Sequence, residues 1–239
     1  MIRGVLFDVG DTLITSLDTE DIFHLILKEK GIDKSPKEIR EAHKRATMKF
    51  LKQKGDIHPP GTKDFNKIYA TWDDEVMKEL GIKKKGLGKY INQRWFEFAG
   101  LKPFEDSATV LKRLSAMGLR VGIVTNGYRE EVDVILESLA NIGKPEERLK
   151  VAMFDVIVGR DTAGAPKPDP RPFLHAAGSL GLRPDEIMFV GDRYDKDYIG
   201  SQGAGMKPVL ILRGGKVPPG VPDNITLIKT LDELINLIR

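Results

Sequence analysis

The sequence predicts an α/β fold: a doubly wound parallel sheet with an all-helical unit inserted near its start. Three observations carry this. From residue 102 onward, short apolar β-prone runs alternate with amphipathic helical patterns, as parallel strands covered by helices on both faces require. One further apolar run, residues 2–7, stands alone at the beginning. Between the two, residues 16–101 keep an apolar spacing of helical type with no strand-like alternation. The expected organisation is a core of residues 1–15 and 102–239 and a helical unit of residues 16–101.

The elements come in this order. The first strand ends in Asp8-Val9-Gly10-Asp11-Thr12, a polar turn containing glycine. Ile22, Phe23, Ile26 and Leu27 then form one apolar helix face that stops at Gly31. Ser35-Pro36 with Glu38 opens a second helix as N-cap, first-turn proline and acidic first turn. A third runs through Phe65, Tyr69, Trp72, Val76 and Leu80 to Gly81, and a fourth lies near Tyr90–Phe98. Beyond residue 101, helices near 107–117, 130–139 and 172–180 alternate with strands at 121–124, 154–158, 187–190 and 208–212.

Composition narrows the function. Hydrophobic residues make up 41% and charged residues 31%, which fits a packed globular chain. Cysteine is absent, so any metal must sit on oxygen or histidine, and a thiol nucleophile is excluded. The net charge of +3 is too small to make nucleic acid the expected partner. The apolar start is too short for a signal peptide and no stretch has the length of a membrane span, so a soluble cytoplasmic protein is expected.

Polar residues gather where such a sheet binds ligands, just past the carboxyl ends of its strands. Asp8 follows the first strand, Thr125-Asn126-Gly127 the second, and Gly191-Asp192 with Asp197 the fourth. Between them, Ala165-Pro166-Lys167-Pro168-Asp169 presents one lysine from a proline-stiffened segment. Singly, each reads as a turn residue, a cap or a solvated lysine. Their order along one sheet edge gives them meaning together.

In that order they resemble the motifs of the haloacid dehalogenase superfamily of aspartate-nucleophile hydrolases. Phe7-Asp8-Val9-Gly10-Asp11-Thr12-Leu13 resembles the first motif, Val124-Thr125-Asn126-Gly127 the second, Lys167 in Pro166-Lys167-Pro168-Asp169 the third, and Phe189-Val190-Gly191-Asp192 through Asp197 the fourth. The likeness spans essentially the whole chain, and the helical insertion resembles the family's cap on a Rossmann-like core.

The resemblance implies a phosphatase acting on a small phosphorylated molecule. Asp8 would be the nucleophile, forming an acyl-phosphate. Asp8, the Gly10 carbonyl and Asp192 would hold Mg²⁺, with Asp197 as an outer ligand. The Thr125 hydroxyl, backbone N–H groups around Asn126 and Gly127, and the Lys167 ammonium would hold the phosphoryl oxygens. Asp195 reads either as a helper of the metal set or as a solvated helix-start residue.

One departure stands out. The phosphatases of the family carry a second Asp two places after the nucleophile, and here that place is Gly10, with Asp11 one later. A one-residue shift reverses side-chain direction in extended chain, but Gly10 at positive φ could re-aim the next side chain. Asp11 is then an acid/base, a structural turn residue, or the mark of a weakened or different chemistry. The family's dehalogenases also lack that Asp, and with it the metal and the acidic fourth motif; Asp192 and Asp197 favour Mg²⁺ and phosphate over that alternative. A binding or regulatory protein on the same scaffold is the other alternative. His24, His43, His58 and His175 have no ligand spacing and read as structural or surface residues, and Trp72 and Trp95 as interior to the helical unit, with a substrate-facing wall as the alternative.

Overall fold

Residues 1–54, 64–215 and 217–238 are described here from a computed structural model. Four residues buried without interruption form β1 (Gly4–Phe7). A tight turn leads to β2 (Ile14–Thr15), and then to α1 (Thr19–Glu29), α2 (Pro36–Lys54), α3 (Phe65–Glu79) and α4 (Leu87–Phe98). The chain returns at β3 (Lys102–Pro103), antiparallel to β2. Alternation sets in from there: α5 (Ser107–Ala116), β4 (Arg120–Val124), α6 (Arg129–Leu139), β5 (Val156–Val158), α7 (Arg160–Ala163), α8 (Pro170–Leu180), β6 (Ile187–Gly191), α9 (Ile199–Gly203), β7 (Lys207–Ile211), β8 (Leu227–Ile228) and α10 (Leu234–Leu237).

The main sheet has the order β5-β4-β1-β6-β7-β8. Every pairing in it is parallel. The first strand is central, with Leu6 opposite both Gly122 of β4 and Phe189 of β6. The chain therefore builds outward on one side of β1 and then restarts on the other. That reversal opens a crevice at the carboxyl ends of the central strands. One face of the sheet is closed by a cluster of Leu6, Val124, Val158, Phe173, Ala176 and Phe189. Within it the Phe173 and Phe189 rings meet edge to face at 4.9 Å, a geometry favoured by the ring quadrupoles.

Compact packing divides the chain into Met1–Thr15 with Lys102–Arg239, and Ser16–Leu101. The second unit has a core of its own, built from Ile22, Phe23, Ile26, Leu27, Ile39, Val76, Met77 and Ile91, with Trp72 and Trp95 packed against it. Phe23 meets Trp95 edge to face at 5.5 Å. Ser35 and Glu38 cap the start of α2 reciprocally, Oγ accepting the Glu38 N–H at 3.3 Å and the Glu38 carboxylate accepting the Ser35 N–H at 2.9 Å. The first and third helices of the unit are closed by Gly31 and Gly81 at positive φ. His24 lies against the Lys34 carbonyl, His43 stacks edge to face on Phe23, and His175 is exposed; His58 falls outside the described residues. Asp73 is buried in α3, and that burial, reinforced by Asp74, pushes its carboxyl well above the usual carboxylate range.

Three features depart from the sequence reading. The sheet gains β8 at its edge, a strand of two residues, too short for periodicity to register. Phe154 and Asp155 precede β5 instead of joining it, because the Asp155 carboxylate accepts the Val121 N–H at 2.8 Å and the Arg120 guanidinium at 2.7 Å. The segment Tyr194–Tyr198 is a π-helical turn leading into α9. No helix among the described residues is long and apolar enough to cross a membrane.

Two glycines with opposite environments test this packing. A Cβ on Gly122 would lie 2.5 Å from Val156 Cγ1 and 2.8 Å from the Val156 carbonyl oxygen. Gly122→Ala is therefore expected to destabilise the protein by about 1–3 kcal/mol. Gly178 sits exposed in α8 with nothing within 4 Å of that position. Gly178→Ala should instead stabilise by about 0.5–1 kcal/mol through helix propensity. Urea denaturation of the two variants checks both signs.

Candidate active site

The central strand delivers Asp8 into the crevice: its N–H donates to the Val190 carbonyl at 2.9 Å, so the residue leaves the sheet beside β6. The Lys167 ammonium lies 2.6 Å from Asp8 Oδ1 and 2.6 Å from Asp197 Oδ1. The lysine side chain is 2% exposed, Asp197 2% and Asp8 13%. Asn126 holds this lysine by its main chain. Its Oδ1 accepts the Lys167 N–H at 2.6 Å and its Nδ2 donates to the Lys167 carbonyl at 3.1 Å. Asp197 fits because Gly191 has no side chain, since a Cβ there would stand 2.4 Å from the Asp197 Cγ. Asp197 Oδ2 accepts the Arg193 N–H at 3.0 Å, which fixes the carboxylate plane.

Charge does not balance in this group. Asp8, Asp192 and Asp197 each offer a carboxylate oxygen within 4.8 Å of the others, and Lys167 supplies one positive charge to the set. Burial pushes the Asp8 carboxyl up to about 6, against the pull of Lys167 and with the push of Asp197. Burial and the negative charges of Asp8, Asp197 and Asp11 raise Asp192 to about 7. Lys167 itself is lowered by burial, but Asp8 and Asp197 more than compensate and leave it above its ordinary value. The Asp192 side chain meets its own backbone N–H and has no other hydrogen bond or ion pair among the described residues. An all-oxygen cluster with excess negative charge suits a hard divalent cation such as Mg²⁺.

The turn after Asp8 corrects one expectation. Gly10 does not take positive φ; Asp11 does, at φ 52°. Left-handed backbone costs a side-chain-bearing residue about 1–2 kcal/mol, and Asp tolerates it better than most. The turn supports it: Asp11 N–H donates to the Ile14 carbonyl at 2.8 Å, and the Leu13 N–H to the Val9 carbonyl at 2.9 Å. Asp11 is exposed, and its charge is felt at Asp192.

Thr125 and Gly127 follow β4. Thr125 Oγ1 accepts the Gly127 N–H at 3.1 Å, which leaves the hydroxyl proton to donate elsewhere. The Asn126 side chain is held by Lys167, and its backbone N–H is a further donor at this strand end. Asp195 is turned away from the cluster: it is 61% exposed and pairs with both nitrogens of the Arg193 fork at 3.2 Å. The sequence reading missed the Asn126 clasp on Lys167, since no local pattern links residues 41 apart.

Comparison with known proteins agrees with this geometry. The model of the haloacid dehalogenase-like hydrolases matches residues 2–205. A glyceraldehyde 3-phosphate phosphatase of Methanopyrus kandleri is 33% identical over 221 residues, spanning 90% of this chain and 85% of that protein. The protein of that name from Methanocaldococcus jannaschii is 27% identical over 245 residues, 100% of this chain and 98% of that one. A solved HAD phosphatase of Thermococcus onnurineus superposes with a TM-score of 0.64 at 26% identity, over 99% of this chain and 98% of its own. A 2-haloacid dehalogenase of Pseudomonas syringae superposes at 0.68 with 21% identity, over 100% and 98%, a likeness of fold alone. The chain belongs to the haloacid dehalogenase-like hydrolases.

Proposed function

We propose that the protein is a Mg²⁺-dependent phosphatase that hydrolyses a small phosphate ester through an aspartyl-phosphate on Asp8, the helical unit serving as its cap. The observation that carries this reading is the cluster of Asp8, Asp192 and Asp197 with Lys167 as the one cation paired to it among the described residues. A third carboxylate beside the nucleophile would hinder a metal-free displacement at an alkyl halide. It suits a reaction in which a dication brings an anionic phosphate to an anionic nucleophile. Relatives named as glyceraldehyde 3-phosphate phosphatase and phosphoglycolate phosphatase support a small organic substrate.

Asp8, the Gly10 carbonyl and Asp192 would hold the cation, with Asp197 orienting the set through Lys167 and the Arg193 N–H. Bound there, the ion neutralises the repulsion between carboxylate and phosphoryl oxygens. One Asp8 oxygen attacks phosphorus, the ester oxygen departs, and a phosphoryl–aspartate bond replaces the phosphate ester bond. Lys167, the Thr125 hydroxyl and the Asn126 N–H hold the equatorial oxygens as charge builds, the Gly127 N–H being taken by Thr125 Oγ1. Asp11 gives a proton to the departing alkoxide. Deprotonated, it then takes one from the water that cleaves the acyl-phosphate and restores Asp8. The nucleophile assignment has a direct test: Asp8→Asn should leave the fold intact and cut turnover of any phosphate ester below about 1% of the parent.

The raised carboxyls make metal binding pH-dependent with a definite sign. In the metal-free protein, Asp8 and Asp192 bind protons more tightly folded than unfolded. Their contribution to stability is thus full below about pH 4 and is lost as pH rises through about 6–7. A bound dication removes the repulsion that appears above that window. The rise in Tm on adding Mg²⁺ should therefore be larger at about pH 8 than at about pH 5.5, and Asp192→Asn should shrink it. An equal rise at both values would mean the ion does not meet these carboxylates. Turnover should cease in EDTA and return with Mg²⁺.

The acid/base reading of Asp11 is tested by leaving groups. Asp11→Asn should slow an alkyl phosphate about 10²-fold more than p-nitrophenyl phosphate, whose leaving group departs with a pKa of about 7. Equal losses would make Asp11 a turn residue, because distorted geometry does not discriminate between leaving groups.

A further inference from the structure

The left-handed turn at Asp11 is held from outside by side chains that belong to none of the four motifs. Ser107 Oγ donates to the Leu13 carbonyl at 2.7 Å. Arg213, just past the end of β7, donates through Nη2 to the Thr12 carbonyl at 2.6 Å, from 201 residues away. The arginine is not a solvated one. Its side chain is 12% exposed, and its Nη1 lies 2.8 Å and 2.7 Å from the two oxygens of Asp106. Its guanidinium lies over the Phe104 ring at 4.0 Å. Asp106 Oδ2 also accepts the Leu231 N–H at 2.7 Å. One planar fork thus ties the nucleophile turn to the start of α5 and to the C-terminal segment. A lysine cannot do this, since a single ammonium lacks the divergent donors and the flat face.

The constraint falls beside Asp11. Thr12 is its neighbour, its hydroxyl is buried without a partner among the described residues, and its carbonyl is what the arginine grips. Position, not identity, sets whether the shifted carboxylate at residue 11 can work, and that position follows from the φ of 52° at Asp11 and from what holds the turn around it. We infer that Arg213, held by Asp106, is a positioning residue for Asp11, keeping the turn in the left-handed form that aims its carboxylate at the departing oxygen. This rests on the acid/base reading of Asp11 given above. The arginine touches neither substrate nor metal ligand and acts through the turn.

The test measures kcat for 2-phosphoglycolate and p-nitrophenyl phosphate in Arg213→Met and Arg213→Lys, in the parent and in the Asp11→Asn background, with thermal unfolding of each. Arg213→Met should lose about 10-fold on the alkyl ester and about 2-fold or less on the aryl ester. The alkyl deficit should vanish in the Asp11→Asn background, where nothing remains to be positioned. Guanidinium ion added to Arg213→Met should restore part of the alkyl rate. If Arg213→Met does not fold, Arg213→Lys carries the same comparison, because it keeps a charge opposite Asp106 and loses the hold on Thr12. Equal loss on both esters, or a deficit that persists without Asp11, would reduce Arg213 to a structural cross-link and overturn the inference. If Asp11→Asn alone leaves no gap between the two esters, the acid/base reading fails and takes the inference with it. If that gap is present and the arginine variants show none, only the inference falls.

Discussion

Much of the site depends on one buried ammonium. Lys167 stands between Asp8 and Asp197 at 2.6 Å from each, in surroundings where an uncompensated charge would cost several kcal/mol. Burial alone would drive the Asp8 carboxylate to protonate there. The lysine favours the charged form of Asp8, while the third carboxylate, Asp192, leaves the group with more negative charge than it can settle internally. That surplus suits a cation better than it suits a closed salt bridge.

The rest of the α/β unit holds that arrangement in place. The Asn126 amide grips the lysine main chain on both sides, so the ammonium is aimed by backbone placement and not by a flexible stem. Gly191 leaves the space that the Asp197 carboxyl fills. The parallel sheet brings Asp8 and Asp192 out at adjacent strand ends, because β1 and β6 pair in register. A substitution in any of these supports would act on the charges without touching them.

The turn after the nucleophile obeys a different constraint. Its geometry is unfavourable for a residue with a side chain, and hydrogen bonds close it from within and from outside. Strain persisting at one residue because its surroundings over-determine it is common at functional positions. The helical unit obeys neither constraint; it is stabilised by its own aromatic and aliphatic interior.

The sequence by itself determined whatever local pattern encodes. Strands buried on both faces must be apolar runs, so β1, β4, β6 and β7 were legible within a residue or two. Helical spacing and the Ser35–Glu38 cap marked the inserted unit, and polar residues at strand ends marked where chemistry could sit. The tertiary structure alone decided which of those residues meet. Lys167 reaches Asp8 across 159 residues, Arg213 reaches Thr12 across 201, and the two-residue β8 exists only because β7 offers it an edge. In the turn after Asp8 the left-handed residue is Asp11 rather than Gly10. Part of what holds the turn comes from far along the chain, Ser107 on the Leu13 carbonyl and Arg213 on the Thr12 carbonyl, and no periodicity records those contacts.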